Sequence, residues 1–357
     1  MELGNWCDCR ERRRVGPQFP QFRQFPQFHQ PPPFYPLATG VRFSSDKEES
    51  HVYIIGENIH IIAPRVKEAI TNRDTKAIQE MALAQVRAGA SCIDLNIGPQ
   101  RKAGVEVMEW IVDAVQAVTD VPLSLDTTNL AAIEAGLKRC KERPFINSTS
   151  AEEERLATVP PLAAQYGAKL IALTMAKEGI PVAAEERVAI AMDKLIPRAM
   201  ELGIPMQNLY IDPLVLTVAG TQEYVPNAVE AIRMFKQLMD PPPMTVVGLS
   251  NVSNSVPPEN RSLINRTYLV MLMAVGLDAA IADPLDQKQN EVIRIVEQRD
   301  DSTPVGRLLL HLYDTTAAME EFDPGMVDMN DPEQVAIYKT VRILKNEMIY
   351  AASYLRT

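Results

Sequence analysis

Residues 92–98 run Cys92-Ile93-Asp94-Leu95-Asn96-Ile97-Gly98, a short and nearly apolar stretch that ends in a carboxylate and an amide. Seven further short apolar runs lie at 52–57, 122–126, 145–149, 169–175, 209–212, 245–251 and 279–283. Apolar runs of about four to seven residues suit parallel strands buried on both faces. Amphipathic stretches lie between them. Ala77, Met81, Ala84 and Ala88 fall near helical spacing after a start at Asp74, and similar patterns cover 105–118, 131–140, 185–201, 228–239 and 263–275. Strand alternating with helix implies right-handed βαβ units. Eight such units in about 300 residues predict a closed (β/α)8 barrel rather than an open sheet. A doubly wound sheet should announce itself with G-x-G-x-x-G after an early strand, and Gly56-Glu57-Asn58 and Gly98-Pro99 do not match it. No G-x-x-x-x-G-K-[ST] occurs either.

Seven of the eight runs carry polar residues near their ends: Glu57 and Asn58, Asp94 and Asn96, Asp126, Asn147, Asp212, Ser250 and Asn251, and Asp283. A barrel gathers such ends at one mouth, where these folds keep their active sites. Any single one has a simpler reading as a helix cap or turn former, and Asp283 before Pro284 is read that way. Lysine, arginine and histidine are nearly absent from these ends, so a polyanion would be poorly served. A flat heterocycle bearing several N–H donors is well served, because a carboxylate accepts two parallel bonds from an amino-pyrimidine edge. Magnesium or calcium is the competing occupant of an acidic cluster. The four histidines form no zinc-binding pair. His60 is read as a loop residue, His311 as packing, and Cys92 and Cys140 as small core residues without an activating partner.

The 357 residues carry 36 basic and 46 acidic side chains, a net charge of −10 and a pI near 5.1, which argues against a general nucleic-acid binder. No apolar run of 18 residues suggests a membrane span, and no secretory signal is evident, so a reducing cytoplasm is expected. Residues 1–50 differ from the remainder. Pro17-Gln18-Phe19 is followed by Pro20-Gln21-Phe22, Arg23-Gln24-Phe25 and Pro26-Gln27-Phe28, then by Pro31-Pro32-Pro33. Proline at that density predicts a disordered tail, with a docking segment as the alternative. The catalytic unit is therefore placed at 51–357.

The strand ends, taken in order, resemble the pterin-binding barrel family, which contains dihydropteroate synthases, the folate domain of methionine synthase and methyltetrahydrofolate:corrinoid/iron–sulfur protein methyltransferases. The motifs are Asp94-Leu95-Asn96-Ile97-Gly98-Pro99, Leu125-Asp126-Thr127-Thr128-Asn129, Ile146-Asn147-Ser148-Thr149, Tyr210-Ile211-Asp212-Pro213 and Gly248-Leu249-Ser250-Asn251-Val252-Ser253. The last of those groups is the nearest in pattern, over 52–283 and again over a final helix expected at 340–355. Dihydropteroate synthases carry a lysine near the end of the seventh strand, and this chain has none there. A D-x-H-x-x-G corrinoid motif is also missing, so the resemblance implies that the corrinoid arrives on another protein.

That resemblance implies transfer of the N5-methyl group of 5-methyltetrahydrofolate to the Co(I) of a corrinoid/iron–sulfur protein in one-carbon and acetyl-CoA metabolism, with tetrahydrofolate as product and no metal held by this chain. It implies that Asn251 donates to the departing N5, that Asp212 pairs with the 2-amino-pyrimidine edge, and that Asp126 and Asn147 bond other pterin nitrogens, Asp126 also feeding a proton toward N5 through water. Asp94, Asn96 and Glu57 become supporting residues, and Ser250 touches the pterin or orients Asn251. A homodimer is carried over from the family. A methyltransferase for a different corrinoid pathway, a dihydropteroate synthase-like enzyme and an idle folate-binding protein remain as alternatives. About fifty residues, 284–336, are read as an insertion after the eighth strand that either caps the mouth or packs on the barrel side.

Overall fold

The computed structural model describes residues 51–100 and 102–355, so the repeat at 17–28 and the disorder expected for 1–50 lie outside the described residues. Eight parallel strands close into a barrel in sequence order. They are β1 (Tyr53–His60), β2 (Cys92–Asn96), β3 (Leu123–Asp126), β4 (Phe145–Ser150), β5 (Lys169–Leu173), β6 (Leu209–Asp212), β7 (Met244–Gly248) and β8 (Ala279–Ala282). Closure runs through β1 and β8, in register from Tyr53 opposite Ala279 to Gly56 opposite Ala282.

The helices are α1 (Pro64–Asn72), α2 (Thr75–Arg87), α3 (Gly104–Gln116), α4 (Leu130–Arg139), α5 (Glu153–Tyr166), α6 (Ala184–Ile190), α7 (Ile196–Glu201), α8 (Tyr224–Phe235), α9 (Pro258–Ala274), α10 (Gln287–Gln298), α11 (Pro304–Ala318) and α12 (Pro332–Leu344). Side-chain caps set several starts. Asp74 accepts from the Ala77 N–H at 3.0 Å to open α2, and Thr303 accepts from Gly306 at 2.9 Å to open α11.

Side chains alternate across each strand, so every second residue faces the barrel axis. Ile55, Cys92, Phe145, Ile171, Tyr210, Val246 and Ala279 form a buried interior layer. The intervening residues, such as Ile93, Leu95, Leu125, Ile146, Leu170 and Ile211, pack outward against helices. Below the interior layer the Lys169 ammonium lies 5.0 Å from the Tyr53 ring centroid, 4.7 Å from that of Phe145 and 5.7 Å from that of Tyr210. This cage plugs the N-terminal end of the barrel, the end that serves stability rather than chemistry.

Several elements differ from the sequence-based expectation, among them α1, which no periodic stretch announced. Helix α5 was not expected, because Pro160 and Pro161 sit inside it; its face of Val159, Pro160 and Ala163 is buried all the same. Burial of that face outweighs the lost backbone bonds. The seventh strand was expected to run to Asn251 but stops at Gly248, after which 249–253 curl into a 3-10 turn. The last helix ends at Leu344 instead of 355. The chain turns at Asn346 (φ 59°), and the Gln222 side-chain amide ties that turn down by donating to the Ile343 and Met348 carbonyls, 2.7 Å each.

The segment at 284–336 supplies α10, α11 and the start of α12. Helix α10 reaches back to the start of the barrel, where Glu297 accepts from the Val52 N–H at 2.9 Å and Asn290 donates to the Ala88 carbonyl at 3.2 Å. Helices α11 and α12 pack on α9. That coverage explains why the second half of α9, from Thr267 to Met273, is buried on every side.

Candidate active site

The alternation that builds the interior layer also aims the polar strand ends. Glu57 lies two residues beyond Ile55, Asp94 and Asn96 two and four beyond Cys92, Asn147 two beyond Phe145 and Asp212 two beyond Tyr210. All therefore face the axis at the C-terminal mouth. Asp126 pairs in register with both Asn96 and Asn147, which places it between them. Ser250 and Asn251 reach the same end from the 3-10 turn after β7 rather than from the strand itself.

The structure joins these side chains in three braces. The Asn96 amide donates to Asp126, and the Asn147 amide donates to Asp94 at 3.0 Å. Ser250 donates its hydroxyl to Glu57, tying the 3-10 turn to β1. Asp212 stands apart from these braces: its Oδ1 accepts from the Leu214 N–H at 2.7 Å. Asn251 is exposed, and its Oδ1 accepts from the Asn254 amide at 3.3 Å, which leaves its own N–H2 free to donate. Asp283 accepts from the Leu285 N–H at 2.9 Å as the expected turn former, and also from the Asn58 amide at 2.9 Å. His60 accepts from the Ile62 N–H within its own loop, at 3.1 Å. His311 accepts from the Asp323 N–H and packs against Phe322 with the rings tilted, their centroids 5.1 Å apart. Among the described residues no three His, Cys, Asp or Glu side chains are grouped so as to hold a metal ion.

Burial governs the electrostatics. It pushes the Glu57 carboxyl up to about 7, with the charges of Asp283 and Asp94 adding to the rise and the Ser250 bond opposing it. Buried Asp94 and half-buried Asp126 interact, both raised chiefly by burial; the Asp94 charge raises Asp126 further. The pair therefore holds a proton well above the ordinary carboxylate range. Burial also raises Asp212 to about 7, opposed by the Leu214 N–H and by the Arg187 guanidinium.

Sequence reasoning missed three contributors to this site. Arg187 is fully buried on α6, although an arginine in a helix pattern is ordinarily a solvated one. The available signal was its place on the stripe Ala184, Arg187, Ala191, Leu195. Gly248 was noticed only as part of a motif, and Asn254 lay beyond the run read as a strand.

The raised Asp126 has a consequence for stability. A carboxyl whose acid form is favoured by folding binds more protons in the native than in the unfolded state, so stability falls as pH rises from the ordinary carboxylate range through the raised one. Asparagine cannot ionise and removes that loss. Asp126→Asn is therefore expected to raise the melting temperature of the ligand-free protein more at pH 8.5 than at pH 5.5, read by calorimetry. An equal difference at both pH values would refute the burial argument.

Comparison with known proteins bears on this mouth. The family described as pterin binding enzyme matches residues 64–283. The methylcorrinoid:tetrahydrofolate methyltransferase of Eubacterium limosum is 30% identical over 233 residues, which cover 65% of this chain and 84% of that protein. Methionine synthase of Mycobacterium tuberculosis (strain ATCC 25618 / H37Rv) is 28% identical over 307 residues, 80% of this chain but 26% of that protein's length. Among solved structures, a Yersinia pestis dihydropteroate synthase with a pterine–sulfa conjugate aligns with a TM-score of 0.53 at 19% identity, covering 71% of this chain and 95% of that one. The dihydropteroate synthase of Thermus thermophilus aligns with a TM-score of 0.54 at 20% identity, covering 70% and 95%. These two likenesses concern the fold.

Proposed function

The chain belongs to the pterin-binding enzyme family, and from that premise we propose that it is a methyltransferase moving the N5-methyl group of 5-methyltetrahydrofolate to the Co(I) of a corrinoid protein, with a corrinoid/iron–sulfur protein as the favoured acceptor. The observation that carries this reading is the ring of inward carboxylates and amides at the barrel mouth, with an exposed amide, Asn251, at its edge. Kinship to a methylcorrinoid:tetrahydrofolate methyltransferase supports it. That relative's name gives the transfer in the opposite direction, and by microscopic reversibility the same groups serve both.

The methyl carbon leaves N5 as Co(I) supplies the electron pair of the new bond, and the pair of the broken C–N bond stays on nitrogen. An amine is a poor leaving group, so a donor that strengthens as charge builds there lowers the barrier. Asn251 is that donor. Its amide gives a hydrogen bond without competing for the proton, and the bond from Asn254 supports the orientation. Asp126, whose acid form is favoured by burial and by Asp94, supplies the proton through water. Asp212 accepts from the 2-amino-pyrimidine edge and Asn147 bonds the ring. Asn96, Asp94, Glu57 and Ser250 hold these groups through the braces already described.

Gly248 is part of that arrangement. A Cβ at this position would lie 2.8 Å from the Asn251 Nδ2 and 3.6 Å from its Cγ. Gly248→Ala is therefore expected to displace the exposed Asn251 side chain at little cost in stability. Turnover should fall about 10- to 100-fold, the range a misplacement near 1 Å commonly produces. Steady-state kinetics alongside a melting curve checks this, and wild-type turnover would refute it.

The reading as a whole is tested by mixing the protein anaerobically with 5-methyltetrahydrofolate and a reduced corrinoid protein while following corrinoid absorbance. The Co(I) spectrum is expected to give way to that of methylcobalt. Folate binding with an unchanged Co(I) spectrum across a panel of corrinoid proteins would instead indicate an idle folate binder.

A further inference from the structure

Among the described residues Arg187 is the largest side chain that is fully buried, at 0% exposure. Among the described residues its guanidinium makes no hydrogen bond to a carboxylate that would offset the cost of burying the charge. Instead it donates to four backbone carbonyls. Nε reaches Pro181 at 3.0 Å, Nη2 reaches Val182 at 3.2 Å and Tyr224 at 3.4 Å, and Nη1 reaches Leu214 at 3.4 Å. Those carbonyls belong to the loop after β5, the loop after β6 and the first turn of α8. One planar fork thus joins the two loops that flank the mouth on the Asp212 side.

Leu214 is the link to the site. It holds a left-handed conformation (φ 68°), which a leucine adopts only where its surroundings impose it. Both of its backbone polar groups are engaged: the N–H donates to Asp212 Oδ1 at 2.7 Å, and the carbonyl accepts from Arg187. Of Glu57, Asp94, Asp126 and Asp212, Asp212 is the one whose charge is favoured by a neighbouring cation. The other titratable groups acting on this pair are Tyr268 of α9 and Tyr224 of α8, the Arg187 Cζ lying 5.9 Å from the Tyr224 ring centroid.

We propose that Arg187 is a positioning residue for pterin recognition: through Leu214 it fixes the Asp212 carboxylate, and its buried charge keeps that carboxylate ready to accept from the amino-pyrimidine edge. The proposal rests on the assignment of Asp212 to the pterin. A role limited to stapling the loops would affect folding and affinity but would not act through the charge state of Asp212.

The test is calorimetric titration of 5-methyltetrahydrofolate from pH 5.5 to 8.5 on the wild-type protein, Arg187→Gln, Arg187→Lys, Asp212→Asn and the double variant Arg187→Gln with Asp212→Asn. Glutamine keeps N–H donors but removes the charge, so the pH midpoint of binding should rise and affinity at pH 5.5, below that midpoint, should fall about tenfold, the equivalent of a one-unit shift. Lysine keeps the charge but not the fork. It should leave the midpoint in place and still weaken binding about three- to tenfold, by loss of the multi-point guanidinium geometry. In the Asp212→Asn background, Arg187→Gln should add no further loss. Wild-type affinity and midpoint in a folded Arg187→Gln would overturn the proposal, as would equal losses in both backgrounds. Should Arg187→Gln fail to fold, wild-type affinity in Arg187→Lys overturns it independently. If Asp212→Asn itself binds like the wild type, the pterin assignment has failed, and the proposal fails with it. If only the Arg187 variants behave like the wild type, the proposal fails alone.

Discussion

Asn251→Ala is expected to lower the rate of methyl transfer about 100- to 1000-fold, the usual cost of removing one preorganised donor from a developing charge. Its affinity for 5-methyltetrahydrofolate should stay within about threefold of the wild type, because the donor acts mainly on the departing nitrogen and little on the bound ground state. Fold and stability should be unaffected, since Asn251 is exposed and its side chain is bonded to Asn254, itself exposed. Single-turnover kinetics with a reduced corrinoid protein separates the chemical step from binding. Near-wild-type transfer would remove Asn251 from the mechanism.

Asp212→Asn should show the reverse pattern. A buried carboxylate that accepts two parallel bonds from an amino-pyrimidine edge contributes through charge-assisted hydrogen bonds, each worth about 1.5–3 kcal/mol. Replacing it with an amide sets an N–H2 against a ring donor, so affinity should weaken about 10- to 100-fold. The rate at saturating folate should change far less. Titration calorimetry reads the first quantity and saturation kinetics the second, and unchanged affinity would refute the assignment. The two variants together separate holding the ring from releasing the methyl group.

The barrel was legible in the sequence because its strands are buried on both faces and so appear as short apolar runs; all eight are present, in the expected order. The inward ring was legible for a related reason. A polar residue at the end of such a run, two positions beyond one facing the axis, must itself face the axis. What escaped notice depends on contacts distant in sequence or on local exceptions. Proline at 160 and 161 masked α5, whose buried face holds it in place. The end of β7 at Gly248 has no apolar-to-polar step to mark it, because Leu249 continues the apolar pattern into the turn. Arg187 could not be placed because its partners lie on two other loops and a helix start, up to 37 residues away. The end of α12 depends on Gln222, more than a hundred residues earlier in the chain.

A crystal structure of the protein soaked with 5-methyltetrahydrofolate would show directly where the ring is held. The pterin is expected at the C-terminal mouth, its amino-pyrimidine edge on Asp212, its ring nitrogens near Asp126 and Asn147, and N5 turned toward Asn251. A ring bound away from that mouth, or a divalent cation held among Asp94, Asp126 and Asp212 in its place, would contradict it.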